Sequence, residues 1–291
     1  MDVPFFWIDV FADRPLTGNP LSLVPDADPL EEATMRAIAR EFNQSETTFL
    51  VAPTGERAEA RLRSFTPDGS EVFGAGHNAM GAWLWLAESG QLGAGGAFVQ
   101  EIGEDLLPVW VDRDHDGRKR VSMDQSPGAF TATVADIAPL AAALGVPGAS
   151  VAGAPEGGST GAAHLLVPLA SADAVDVARP DPRALKAVLA DAGAEGCYVY
   201  TTTAPAGSGA TAYARFFNPT VGIAEDAATG TAAGPLAALL VRDGAAAAGT
   251  PVIIEQGRSL GRPSRIAVTV DAGRVTISGG GVITGSGVLR L

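Results

Sequence analysis

The stretch Phe73-Gly74-Ala75-Gly76-His77-Asn78-Ala79-Met80-Gly81-Ala82, running into Trp83-Leu84-Trp85-Leu86, constrains the fold more than any other. A glycine-rich turn feeds a segment apolar at nearly every position until Glu88 and Ser89, with Gly90 placed as a C′ stop. A helix apolar all round is buried on all sides. Its N-terminus then opens inside the protein, with unpaired N–H groups and the positive end of the helix dipole. An anion held at the helix start satisfies those groups, and so does a capped core helix.

The same order of elements recurs downstream. In the first half, Asp28-Pro29 reads as an N-cap with proline at N1 and Glu31 at N3, ahead of a stripe of Met35, Ile38, Ala39 and Phe42. Strands follow at 47–51 and 60–65, then the turn Thr66-Pro67-Asp68-Gly69, the glycine turn and the apolar helix. In the second half, Asp181-Pro182 caps a helix striped by Leu185, Val188 and Leu189 and stopped by Gly193. Strands at 197–203 and 212–217 lead to Phe217-Asn218-Pro219, the counterpart of Phe65-Thr66-Pro67. A second apolar helix then runs through Leu236, Leu239, Leu240 and Val241 to Gly244; Pro235 fits it best if it begins near Ala232. Phe65 and Phe217 lie 152 positions apart, and Pro29 and Pro182 lie 153 apart. That spacing describes a duplicated domain and not a solenoid, whose periods are far shorter.

Each half offers many strands around one fully apolar helix. The expected fold is α+β: two similar halves, 1–125 and 126–291, with terminal strands free to cross over, each a mostly antiparallel sheet wrapped around its helix, with both helix N-termini pointing into one cleft. Gly279–Gly281 reads as bulges or tight turns within this plan.

Composition narrows the partners. Lysine plus arginine total 20 against 33 acids, a net charge of −13, which argues against nucleic acid and anionic membrane as partners. No apolar run reaches the ~18 residues of a membrane span, and the N-terminus shows no signal-peptide pattern. The single cysteine, Cys197, fits a reducing cytoplasm.

Three polar clusters lie where loops meet the helix starts. In Asn43-Gln44-Ser45-Glu46, burial at the mouth of a strand would raise the Glu46 carboxyl and suit it to proton transfer; a surface glutamate is the plainer alternative. His77 reads as a general acid, a substrate donor or a helix cap. Asp226, before Thr229-Gly230-Thr231, reads as a second acid or base, or as a stabiliser of the helix start. Gly74-Ala75-Gly76-His77-Asn78-Ala79 fits a relaxed dinucleotide-binding pattern, but without alternating β and α units around it. The three histidines and Cys197 show no metal-ligand spacing, so neither metal nor cofactor is expected. His115 reads as a solvated loop residue and His164 as structural.

Taken together, Gly18-Asn19-Pro20, Asn43-Gln44-Ser45-Glu46-Thr47, Gly76-His77, Glu225-Asp226-Ala227-Ala228-Thr229-Gly230-Thr231 and Gln256-Gly257-Arg258 resemble the signature set of the phenazine-biosynthesis (PhzF-like) proteins, in order along nearly the whole chain. The resemblance implies the diaminopimelate-epimerase-like fold and a cofactor-free isomerase, a homodimer acting on a small anionic substrate of the dihydro-hydroxyanthranilate kind. By position it makes Glu46 the proton shuttle, with His77 and Asp226 as polar partners and Gly76 and Gly230 as backbone donors. Gly18, Asn19, Ser45, Asn78 and Thr231 complete the implied substrate-binding set. Thr231 stands where the phenazine enzyme has serine, and Asn78-Ala79 where the family more often has Ala-Thr. A catalytically silent ligand-binding protein and a two-base amino-acid epimerase of the same fold are the alternatives; the latter uses a cysteine in each half, and no cysteine stands at either helix start.

Overall fold

The computed structural model describes residues 1–92 and 95–291. Its contacts divide the chain into two compact units, Met1–Asp124 with Ser278–Leu291, and Gln125–Ile277. The terminal segment 278–291 therefore crosses over to the first unit.

The first unit runs β1 (Asp2–Val10), β2 (Asn19–Val24), α1 (Glu32–Phe42), β3 (Thr47–Val51), β4 (Ala60–Phe65), β5 (Glu71–Val72), α2 (His77–Glu88), β6 (Gly96–Ile102), β7 (Asp105–Arg113) and β8 (Lys119–Gln125). The second runs β9 (Ala129–Thr133), α3 (Ala138–Leu144), β10 (Glu156–Ser159), β11 (Ala163–Pro168), α4 (Ala172–Asp176), α5 (Pro182–Ala192), β12 (Gly196–Thr201), β13 (Ala212–Asn218), β14 (Ile223–Asp226), α6 (Gly230–Arg242), β15 (Val252–Gln256), β16 (Ser264–Asp271) and β17 (Arg274–Gly279). The final strand, β18 (Gly281–Arg290), pairs antiparallel with β1 over its whole length.

The duplication is explicit in the pairing. β2 runs parallel to β3, β3 antiparallel to β4, β4 parallel to β6 and β6 antiparallel to β7. β11, β12, β13, β15 and β16 repeat that series of directions in the second unit. Within it, α1 and α5 take the same place, and so do α2 and α6.

α2 lies against β1, β2, β3, β4, β7 and β18, and every residue from His77 to Ala87 is buried. Gly81 permits the close approach: a Cβ there would sit 2.5 Å from Leu21 Cδ2 and 3.0 Å from Val10 Cγ2. Trp83 is fully buried and donates its indole N–H to Gln100 Oε1 at 2.9 Å. At about 25 cal/mol per Å², a tryptophan burying roughly 150–250 Å² contributes about 4–6 kcal/mol. α6 lies against β10, β11 and β16 and is buried almost as completely.

Two helix starts differ from their sequence expectation. Asp28 does not cap α1; its Oδ1 accepts from the Ala52 N–H at 2.8 Å, and the cap position falls to Glu31, whose side chain makes no capping bond. α6 begins at Gly230 and not near Ala232, so Pro235 sits inside the helix. Asp181, in contrast, caps α5 as expected by accepting from the Ala184 N–H. Among the described residues no helix is long and apolar enough to cross a membrane.

Candidate active site

In the first unit the site is built where α1 ends and β3 begins. Asn43 closes α1 in the left-handed conformation at φ 50°, and three residues later Glu46 precedes the buried start of β3. That start is pinned on both sides: Thr47 Oγ1 lies 2.6 Å from Ser22 Oγ, and Thr48 Oγ1 lies 2.9 Å from Ser64 Oγ. The Glu46 side chain is 20% exposed, and its Oε2 lies 3.8 Å from Nδ1 of His77, the first residue of α2. The other ring nitrogen, Nε2, lies 3.4 Å from Ser45 Oγ. Ser45, Glu46 and His77 are thus brought together across 32 residues of chain.

Burial pushes the His77 imidazole down to about 4, so at neutral pH the ring is uncharged. Its contact with Glu46 is then a neutral ring beside a carboxylate and not an ion pair. A neutral imidazole carries one N–H and one lone pair, so it offers one donor and one acceptor to the site. Nor does it cap the helix, whose cap residue is Gly76.

The turn before α2 uses two of the expected ligand contacts internally. The Gly76 N–H donates to Asn78 Oδ1 at 2.7 Å, and Asn78 Nδ2 donates to Gly74 O at 2.9 Å and Ser64 Oγ at 3.2 Å. Asn78 therefore fastens the turn, and the Gly76 donor is occupied. No side chain caps α2, and its first i→i−4 bond runs from the Met80 N–H to Gly76 O. The N–H groups of His77, Asn78 and Ala79 precede that bond and carry the helix dipole's positive end. Gly18 adopts φ 66° in the β1–β2 turn, where a Cβ would lie 2.2 Å from Val10 O; only glycine fits. Asn19 is buried beside it, opposite Val10.

In the second unit, Asp226 ends β14 and its carboxylate is held by its own loop. Oδ1 accepts from the Ala227 N–H at 3.0 Å, and Oδ2 accepts from the Thr229 hydroxyl. Gln256, fully buried at the end of β15, organises this loop. Its Oε1 accepts from Tyr198 OH at 2.8 Å and the Thr229 N–H at 3.2 Å; its Nε2 donates to Asp226 O at 2.9 Å and Thr229 Oγ1 at 3.1 Å. All four hydrogen-bonding positions of the amide are used. The sequence carried its signal in Gln256-Gly257-Arg258 without a role attached. α6 has no side-chain cap, and Gln125 Nε2 fixes Gly230 by donating to its carbonyl at 3.1 Å. Thr231 Oγ1 lies 3.1 Å from His164 Nε2.

The duplication places a glycine where the first unit has Glu46. Thr47 faces Phe65 and Cys197 faces Phe217, so the residues before them, Glu46 and Gly196, are equivalent. A Cβ on Gly196 would lie 2.4 Å from Phe216 Cζ and 3.2 Å from His164 Nδ1. The space for a second carboxylate is filled by two rings. Cys197 is no substitute: it is buried, and desolvation raises its thiol far above the ordinary range.

Among the described residues no three His, Cys, Asp or Glu side chains group as metal ligands. His115 is 90% exposed in its loop. A cavity of about 500 Å³ in the second unit is lined by Leu185, Arg215, Phe217 and Glu225 among others, and by none of the expected site residues. Arg215 is committed there, bonded through Nε and Nη2 to Glu225 and through Nη1 to the carbonyls of Val175, Asp176 and Ala178.

Comparison with known proteins gives one consistent answer. The family model for phenazine biosynthesis-like proteins (PhzC-PhzF) matches residues 8–287. A trans-2,3-dihydro-3-hydroxyanthranilate isomerase of Pseudomonas fluorescens is 37% identical over 289 residues, covering 98% of each chain. A crystal structure of a PhzF-family phenazine biosynthesis protein of Bacillus anthracis superimposes with a TM-score of 0.90 over 100% of both chains at 26% identity. A predicted epimerase of Pseudomonas aeruginosa superimposes with a TM-score of 0.84 over 99% of both chains at 34% identity.

Proposed function

The chain belongs to the phenazine biosynthesis-like PhzC-PhzF family and is an isomerase of that family, and from that premise we propose that it moves a proton within a small carboxylate-bearing substrate of the trans-2,3-dihydro-3-hydroxyanthranilate type, with Glu46 as the sole base. The observation that carries this reading is the Glu46–His77 pair, a partly buried carboxylate 3.8 Å from a ring that burial keeps neutral. Glu46 takes a proton from one carbon as the C–H electron pair moves into the conjugated system. Once protonated it is the acid that returns the proton to another carbon on the same face. A base with a neutral donor beside it keeps the carboxylate available for proton transfer, where a charged imidazolium would lock it in an ion pair. The Gly230 N–H and the Thr231 hydroxyl are assigned to holding the substrate, and Asp226 with His77 to balancing charge as its electrons shift; the Gln256 and Gln125 amides fix the Asp226 and Gly230 carbonyls. These donors act on an anionic substrate despite the net charge of −13, because charges beyond about 8 Å are screened at physiological salt.

The same reading makes the protein a cytoplasmic homodimer that works without metal or nucleotide, supported by the family resemblance and the single, deeply buried cysteine. The starts of α2 and α6 speak against the two-base epimerase reading, since neither carries a cysteine. The test is direct incubation of the purified protein with trans-2,3-dihydro-3-hydroxyanthranilate and related ring carboxylates, followed by NMR. Conversion to a proton-shifted isomer is expected; binding without conversion of any of them would favour the silent binding protein.

A further inference from the structure

His164 stands on β11 and is 2% exposed, with Nε2 3.1 Å from Thr231 Oγ1 in the first turn of α6. Its ring meets Phe216 edge to face, with centroids 4.9 Å apart and planes at 82°. The other nitrogen, Nδ1, is buried with no hydrogen-bond partner among the described residues, facing the space above Gly196. The two ring nitrogens are therefore unlike, and that decides where the proton sits. A proton on Nδ1 would bury an N–H with nothing to accept it, the rarest kind of unsatisfied group in proteins. A bare lone pair on Nδ1 is the lesser cost. The proton then sits on Nε2 and points at Thr231 Oγ1.

A hydroxyl that accepts from a ring N–H still has its own proton to give. We propose that His164 is a positioning residue: its Nε2–H donates to Thr231 Oγ1, fixing that side chain and leaving the Thr231 hydroxyl proton for an anionic oxygen of the substrate. The proposal rests on the assignment of Thr231 to substrate holding. It also accounts for the ring pair over Gly196. The ring turns its Nε2–H toward Thr231 and its lone pair toward Gly196, so the start of α6 favours acceptor oxygens over ammonium groups. Burial, which pushes His164 down to about 4, keeps this arrangement uncharged at neutral pH.

Two measurements test it. The first needs no substrate: a long-range ¹H–¹⁵N correlation spectrum of histidine-labelled protein, with the His164 signals assigned by their loss in His164→Leu. A neutral ring protonated at Nε2 is expected, with a shift of that signal in Thr231→Val; protonation at Nδ1 would overturn the proposal. The second is a double-mutant cycle on kcat/KM. Thr231→Val should lower it about 10–100-fold, as expected for a lost hydrogen bond to a charged group. His164→Leu should lower it about 5–30-fold alone, yet change it less than about 2-fold when Thr231 is already valine. His164→Gln, whose amide also donates, should recover most of the loss. Additive effects, or a folded His164→Leu protein with normal kcat/KM, would overturn the proposal. If the wild-type protein turns over no ring carboxylate, the functional reading fails by itself, and the spectrum still decides which nitrogen carries the proton.

Discussion

Acid should weaken this protein well above the pH at which its carboxylates protonate, because it buries two neutral histidines. His77 and His164 both sit at about 4 in the folded state, against 6.5 for a free side chain. Between those values the unfolded chain binds protons that the folded chain refuses. Stability is therefore fully present above about pH 6.5 and falls as pH drops toward 4. At 1.36 kcal/mol per unit, each histidine costs about 2 kcal/mol at pH 5, and the pair about 4 kcal/mol, a large part of the roughly 5–15 kcal/mol that holds a typical domain. Urea unfolding at pH 7 and pH 5, followed by fluorescence of the buried Trp83 and Trp85, measures this loss. His77→Gln and His164→Gln should each remove about 2 kcal/mol of it, while His115→Gln, at a 90% exposed side chain, should remove none. A stability that stays flat from pH 7 to pH 5, or a slope that survives both substitutions, would refute the reasoning.

Gly196→Ala should destabilise the second unit by about 1–3 kcal/mol, read by the same urea titration, because the new methyl meets the Phe216 ring at 2.4 Å. Gln256→Leu should cost about 2–4 kcal/mol and lower turnover, since it strands the Tyr198 hydroxyl and the Thr229 N–H in a buried loop; an unfolding midpoint equal to wild type would show that the amide is dispensable. Dialysis against a chelator should leave turnover unchanged, and activity lost and then restored by zinc or magnesium would overturn the cofactor-free reading.

The parts of this fold legible in the sequence are those whose pattern is local. α2 and α6 announce themselves because no face is polar, and the repeat shows in Asp-Pro and Phe-x-Pro punctuation set 153 and 152 positions apart, respectively. Where a partner lies far along the chain, the pattern misleads. Asp28 looks like a helix cap but bonds to Ala52, 24 residues on. β18 has glycines where a strand wants side chains, yet Gly287 makes room for the ring of Phe5 on the paired β1, where a Cβ would lie 2.6 Å from ring atoms. The site follows the same rule. Ser45, Glu46 and His77 stand out from their positions at element ends, whereas the clamp made by Asn78 and the network under Gln256 depend on bonds to Ser64 and Tyr198 that no local motif encodes. His164 reads as a core residue until Gly196 is seen to leave it the space above the strand.

The central claim is that one carboxylate takes the proton and returns it. Glu46→Gln keeps the size of the side chain and its contact with His77 while removing the base. Turnover of trans-2,3-dihydro-3-hydroxyanthranilate, compared between wild type and this variant in deuterated water, tests the claim most directly. The account predicts a fall of about 10²–10⁴-fold in kcat with substrate affinity retained, and deuterium at the reprotonated carbon of the wild-type product to the extent that the shuttled proton exchanges. A Glu46→Gln protein with near-normal turnover would contradict it.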